Sequence, residues 1–269
     1  MNPDPRTLAP VPDWLSMPFY YASLTCFRVY YRVARERLAR ALAGTETRPA
    51  DLGGDAFVSL DFQRYTAHLP SLLATTSEVE LNALVVPDAL ADRAASIPLA
   101  DLLAGRDETR TVGYYRLHVP CDNAFAVKAG VALFGERKYE AAFSAELPSP
   151  NGPAVRAWRY ACDTPSGARL YALDAAVGDA PFALDDRASI VRYSTLDGRL
   201  VGSRWELSGE VCTWAGDAPG VAVSLAVGDA DHALCRDLRA LVGDAKPAAI
   251  QAFTSRPAAV EGRGFFVSP

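Results

Sequence analysis

GYYRLHVPCDNAFAVKAGVALFGERKY, running from Gly113 to Tyr139, orders the reading of the whole chain. Thr111 to Val119 (TVGYYRLHV) is short, partly alternating and rich in aromatic and β-branched residues, which predicts a strand. Asp122-Asn123 can accept the first free amides of a helix over Ala124 to Phe134, and Gly135 supplies its stop. Lys138 follows directly. Composition singles it out: of 27 basic residues only Lys128, Lys138 and Lys246 are lysines, the others being arginine. Arginine stays protonated, whereas a lysine whose ammonium is destabilised by burial or by a neighbouring cation becomes a nucleophile that forms Schiff bases. The other two lysines read as solvated charges, Lys128 on a helix face and Lys246 in a loop.

Working outward, the flanks are mostly β. Upstream lie the predicted strand Ser23 to Val33, a short helix over Ala34 to Gly44, and strands Phe57 to Thr66 and Val79 to Val86. Downstream come Tyr139 to Leu147, Val155 to Cys162, Arg169 to Ala175, and a hairpin of Ile190 to Leu196 with Leu200 to Leu207 around Asp197-Gly198. Strands Val211 to Ala215 and Val221 to Val227 precede a helix capped near Asp229 or Asp231, whose Leu234, Leu238, Leu241 and Val242 form one apolar stripe. Ala248 to Thr254 closes the series. Many short strands and few helices predict a mainly β (α+β) fold, a closed or nearly closed antiparallel β-barrel flanked by a few short helices. Five prolines within residues 1–18 mark an extended arm, leaving 19–269 as a single domain.

The run Leu133-Phe134-Gly135-Glu136-Arg137-Lys138, approached by Asp122-Asn123 and Gly130, resembles the central segment of the acetoacetate decarboxylase-like superfamily. Tyr31-Arg32 and Asp61-Phe62-Gln63-Arg64 resemble earlier units of that family, and Glu80, ahead of Leu84-Val85-Val86-Pro87, sits where it has a pocket glutamate. The resemblance covers roughly residues 25 to 145. It implies a cofactor-independent Schiff-base lyase acting on a small keto acid or related carbonyl compound, decarboxylase-like, with Lys138 as nucleophile and Glu80 as its catalytic partner. Asp61, His118, Arg64, Phe134 and Tyr115 are the candidate substrate-binding residues. The sequence departs from the family at two places: Tyr139 stands where a second lysine follows the nucleophile, and the family's pocket arginine falls near Leu24. Activation of Lys138 is then expected to come from burial against Phe134, Tyr114, Tyr115 and Phe143. The departures also admit aldol, dehydration or cyclisation chemistry, for which Glu80, Glu78, Asp61 and His118 are the proton-shuttle candidates, or a barrel that binds a carbonyl ligand without turnover. Strand alternation places His118 on one face with Tyr114 and Arg116.

Composition bounds the remaining possibilities. A net charge of −5 with mixed signs gives no basic stripe for nucleic acid and no polybasic anchor for a membrane. No apolar run approaches the length of a transmembrane helix and the first residues lack a leader pattern, so a cytoplasmic protein is expected. The resemblance further implies a homo-oligomer. Five scattered cysteines, Cys26, Cys121, Cys162, Cys212 and Cys235, form no C-x-x-C pair and read as buried thiols. His68, His118 and His232 show no metal-binding spacing. No nucleotide or serine-hydrolase motif occurs. No cofactor is expected.

Overall fold

A computed structural model describes residues 8, 10–69, 72–107, 111–148, 157–178, 181, 183–255, 259–261 and 264–267. Part of the expected arm (1–7 and 9) and the expected strand start at 155–156 lie outside them. In chain order the elements begin with β1 (Phe19–Val33), α1 (Arg35–Ala41), β2 (Thr47–Pro49), β3 (Ala56–Leu69) and β4 (Leu72–Pro87). There follow α2 (Leu99–Leu103), β5 (Gly113–Cys121), α3 (Ala124–Phe134), β6 (Lys138–Glu140) and β7 (Ala142–Glu146). The second half holds β8 (Ala157–Asp163), β9 (Arg169–Ala176), β10 (Ala183–Leu196), β11 (Arg199–Ala215) and β12 (Ala222–Val227). It ends with α4 (Ala233–Asp237), β13 (Pro247–Ser255), β14 (Ala259–Glu261) and β15 (Phe265–Phe266).

The strands form a large curved sheet in the order β2-β4-β3-β1-β13-β11-β10-β5-β6, in which β5 also pairs with β4. Most of its pairings are antiparallel, and the two made by β5 with β10 and with β6 are parallel. A separate sheet, β12-β9-β8-β7, covers one of its faces. This second layer is the main departure from the expected architecture. The predicted strand Tyr139 to Leu147 divides at Ala141: β6 joins the large sheet and β7 the small one. Conversely, the predicted Leu200 to Leu207 and Val211 to Ala215 are parts of one long strand, β11. The hairpin at Asp197-Gly198 is as expected, with both residues at positive φ, 51° and 75°. The cap of α4 is His232, whose ring nitrogen accepts the Leu234 amide, and neither aspartate takes that role.

Alternation along β1, β3 and β4 sorts two very different faces. Phe27, Val29, Leu60, Phe62, Val79 and Leu81 pack against Trp158, Tyr160 and Leu173 of the small sheet and against Leu38 and Leu234. Phe27 stacks on Trp158 and Phe62 on Tyr160, with ring centroids 4.9 and 4.5 Å apart. Burying each such side chain contributes about 1.5–3 kcal/mol. The opposite face carries Arg28, Asp61, Gln63, Glu78, Glu80 and Asn82, all of them buried. Polar residues that in an open sheet would meet water are here turned inward. That inversion builds the site.

Candidate active site

Lys138 is delivered by local chain chemistry. The Asn123 side chain accepts the Phe125 and Ala126 amides at 3.0 and 3.3 Å, starting α3, while Asp122 accepts the Ser77 amide at 2.8 Å and ties the turn to β4. At the other end Gly135 takes φ 63° and donates to Val131, and the chain reverses into β6. A side chain on Gly135 would strike the Thr195 carbonyl, so the close approach and the left-handed turn both call for glycine there. Lys138 then pairs in register with Val119 of β5, and its side chain is only 6% exposed.

Two carboxylates meet the ammonium. Glu78 Oε2 lies 2.5 Å from Lys138 Nζ and Glu136 Oε2 lies 3.4 Å away. Glu78 also accepts the Tyr65 hydroxyl at 3.0 Å. Glu136 pairs with Arg116, whose other terminal nitrogen is 3.4 Å from Glu80. Arg192 reaches Glu80 at 3.1 Å and lies over Trp205, its Cζ 3.5 Å from the ring centroid. Deeper still, Asn82 donates to both Glu80 and Asp61 at 3.2 Å, and Asp61 holds Arg28 at 2.6 Å. Four buried acids therefore alternate with four buried cations, and the set is neutral when all are ionised, as burial of charge demands.

The electrostatics divide the acids. Burial pushes the Glu80 carboxyl up, but the guanidiniums of Arg192, Arg116 and Arg28 together outweigh it and hold Glu80 down to about 2. Asp61 is pushed up to about 6 by burial, with Arg28 opposing and Glu80 adding to the rise. Glu80 is thus a permanent anion that organises two arginines.

A cavity of about 50 Å³ opens above this floor. It has room for a few water-sized groups. Glu78, Arg116, Glu136, Lys138 and Arg192 form its polar end, and Phe19, Tyr21, Phe125, Phe134 and Trp205 are among its apolar walls. Such an arrangement can grip a carboxylate with guanidinium, present an amine to a carbonyl and move a proton through Glu78.

Several expected site residues lie elsewhere. Of the four aromatic groups expected around Lys138, Phe134 lines the cavity, whereas Tyr115 lies in the core between the two sheets and Phe143, on the small sheet, packs against that core. Tyr114 lies beside Arg28 and Tyr30, whose hydroxyl it meets at 2.9 Å. The Lys138 ammonium therefore meets carboxylates, and of the expected aromatic groups only Phe134 lines its cavity. Asp61 pairs with Arg28, and Arg64 is half-buried beside Ser77. Glu80 contributes through Arg116 and Arg192, while Glu78 and Glu136 are the described carboxylates paired with Lys138 itself. His118 bonds Asp237 at 2.7 Å on the far side of the sheet. A bulge explains it: Asn82 faces Arg116 but the next residue, Leu81, faces His118, so one residue of β5 is skipped and the alternation reverses. Sequence reasoning overlooked Arg28 and Arg192 and gave Arg116 and Glu136 no role. The available signal was a lone charge inside each apolar strand, as in CFRVYY, YYRLH and SIVRYS. Among the described residues no group of three His, Cys, Asp or Glu is placed to hold a metal, and no helix is long and apolar enough to cross a membrane.

No protein-family model and no curated protein matches the sequence. Solved structures do match. The enduracididine biosynthesis enzyme MppR, complexed with the condensation product of pyruvate and imidazole 4-carboxaldehyde, aligns with TM-score 0.64 and 15% identity over 98% of this chain and 99% of that one. An acetoacetate decarboxylase-like enzyme from Sphingomonas wittichii RW1 aligns with TM-score 0.59 and 18% identity over 95% of each chain. Acetoacetate decarboxylase from Legionella pneumophila aligns with TM-score 0.56 and 12% identity over 98% of this chain and 94% of that one. The chain thus shares its fold with MppR, with acetoacetate decarboxylases and with an acetoacetate decarboxylase-like enzyme.

Proposed function

We propose that the protein is a cofactor-independent Schiff-base enzyme that acts on a small keto acid through Lys138. The observation that carries this reading is the buried amine of Lys138, 2.5 Å from Glu78, in a cavity whose floor also presents Arg116 and Arg192. The β4–β5 pairing supports a further reading, that the large sheet closes as a barrel around this cavity.

In this mechanism the substrate carboxylate docks against Arg116 and Arg192, which places its carbonyl carbon over Lys138. Lys138 passes a proton to Glu78 and attacks the carbonyl, forming a carbinolamine. Glu78 returns that proton to the leaving hydroxyl, water departs and a cationic imine remains. The imine draws electrons from the adjacent bond, and the Glu78 carboxylate, now unprotonated, removes the neighbouring C–H proton to give an enamine. The enamine can add to an aldehyde, and its product can lose water by the reverse proton movements.

Two guanidiniums at the polar end favour a carboxylate that stays on the substrate, because expelling it as CO2 discards their interaction. Aldol or dehydration chemistry is therefore the preferred form of the reaction. The ligand named for MppR, a condensation product of pyruvate, is of that kind. Decarboxylation is the second reading, supported by the apolar walls around Phe134 and Trp205 and by the acetoacetate decarboxylase neighbours. Borohydride trapping with a panel of keto acids, read by peptide mass with CO2 followed in parallel, tests both. A reduced adduct on Lys138 without CO2 is expected; the absence of any adduct across the panel would remove the Schiff-base reading.

A further inference from the structure

We infer that residues 10–19 form a strap that sets the size of the molecules able to reach Lys138, an inference that rests on Lys138 being the reacting amine. Phe19 and Phe125 both line the cavity that contains Lys138. Neither ring is held by the sheet alone. Phe19 packs with Val11, Leu15 and Met17 against Ala129, Leu133 and Phe134 of α3. The Leu15 amide donates to the Pro12 carbonyl at 2.9 Å, which turns the chain back so that Trp14 meets the helix.

Trp14 is the clamp. Its ring stands edge-on to Phe125, with centroids 5.6 Å apart and planes at 86°, and the Lys128 ammonium lies 4.2 Å from its centroid. Phe125 and Lys128 are three residues apart on α3 and so share one face of the helix. Trp14 is 39% exposed, so most of its surface is covered, and the edge and cation–π contacts fix how its ring sits on the helix. The edge contact acts on Phe125, one of three phenylalanine rings at the cavity wall, and the cation–π contact holds Trp14 against the same helix face. The lysine read as a solvated charge thus has a second partner.

Chemistry follows from the geometry. The polar end of the cavity fixes the carboxylate and carbonyl of a bound molecule, so any remaining bulk extends toward the apolar wall. With the strap docked, Phe19 and Phe125 stand where that bulk would go. Small carbonyl compounds are admitted and larger ones are excluded until the strap yields.

Access to Lys138 can be read without turnover. The protein is alkylated by formaldehyde, propanal or benzaldehyde with cyanoborohydride, and labelling of Lys138 is measured by peptide mass against exposed Lys246 in the same molecule. Wild type should label Lys138 with formaldehyde and far less with benzaldehyde. Trp14→Ala and Phe19→Ala should each raise the benzaldehyde-to-formaldehyde ratio at Lys138 by about tenfold or more, and Lys128→Met should raise it less. Trp14 is partly exposed and outside the cavity lining, so W14A keeps the test valid where F19A lowers the melting temperature. An unchanged ratio in W14A and F19A, with Lys138 still labelled, overturns the strap while leaving Schiff-base function intact. A raised ratio in variants that trap no keto acid upholds the strap and removes that function.

Discussion

Lys138 Nζ sits 2.5 Å from Glu78 Oε2, while Glu80, the next residue on the same strand face, turns to Arg192 at 3.1 Å. Two carboxylates one alternation apart therefore have different partners, the first meeting the amine and the second two arginines, and the proposed mechanism gives only the first a proton transfer. Lys138→Ala should abolish borohydride trapping. Glu78→Gln should still form an adduct slowly and lower kcat by about 10²–10⁴-fold. Glu80→Gln should act chiefly on KM and stability. Equal losses of kcat in E78Q and E80Q would contradict this division.

Arg192 is expected to bind carboxylate. Arg192→Met should raise KM for keto acids by about 10- to 100-fold, in line with a charged hydrogen bond of about 1.5–3 kcal/mol, and should leave a neutral ketone of the same size unaffected. The substitution also strips Glu80 of one partner, so R192M should be less stable by about 3 kcal/mol unless combined with Glu80→Gln. Kinetics with matched acid and ketone pairs, beside urea melts of the single and double variants, would show whether both effects occur.

Gly130 faces the site from α3. A methyl group there would come within 2.4 Å of Glu136 Oε2 and 2.8 Å of Lys138 Cδ. In the middle of a helix alanine is intrinsically better than glycine by about 1 kcal/mol, so Gly130→Ala should keep the fold and displace the Lys138 stem. Near-normal melting with trapping slowed by about tenfold or more is expected. Unimpaired trapping would mean that the amine has room to adjust.

Asp61 gives the interior a pH dependence. Its folded value, about 6, lies above the ordinary 3.8, so the folded protein binds this proton more tightly than the unfolded chain does. Its contribution to stability is complete below about 4 and is lost as pH rises toward about 6. Asp61→Asn removes that proton equilibrium. Relative to D61N, wild type should therefore lose stability across this window and show no further relative change above it, as measured by urea midpoints at successive pH values. Glu80, held low by its arginines, contributes in the opposite sense and only in strong acid, as pH falls from 4.5 toward about 2.

His118 provides a contrasting case. It joins β5 to Asp237 at the end of α4, across the sheet from Lys138. His118→Gln should lower stability by about 1 kcal/mol and leave adduct formation at Lys138 unchanged. A large fall in trapping would return His118 to the reaction.

The turn, cap and glycine signals around α3 were legible because they are local: Asn123 bonds amides two and three residues away, and Gly135 adopts a backbone angle that other residues resist. Hairpin and strand order followed from short-range alternation in the same way. Lys138 stood out by scarcity. Glu78 was among the proton-shuttle candidates, but its place beside the amine, and the part of Glu136, Arg116 and Arg192, were not legible, because these residues come from separate elements brought together by pairing of β5 with β4, β6 and β10. The bulge that sends His118 outward depends on the register of two strands, which alternation within one strand cannot reveal. Likewise, a polar strand face reads as solvent-facing until the tertiary structure buries it. Local backbone chemistry and residue type thus decided the elements and singled out Lys138, while long-range pairing decided which charges surround it, because buried charges are positioned by partners distant in the chain.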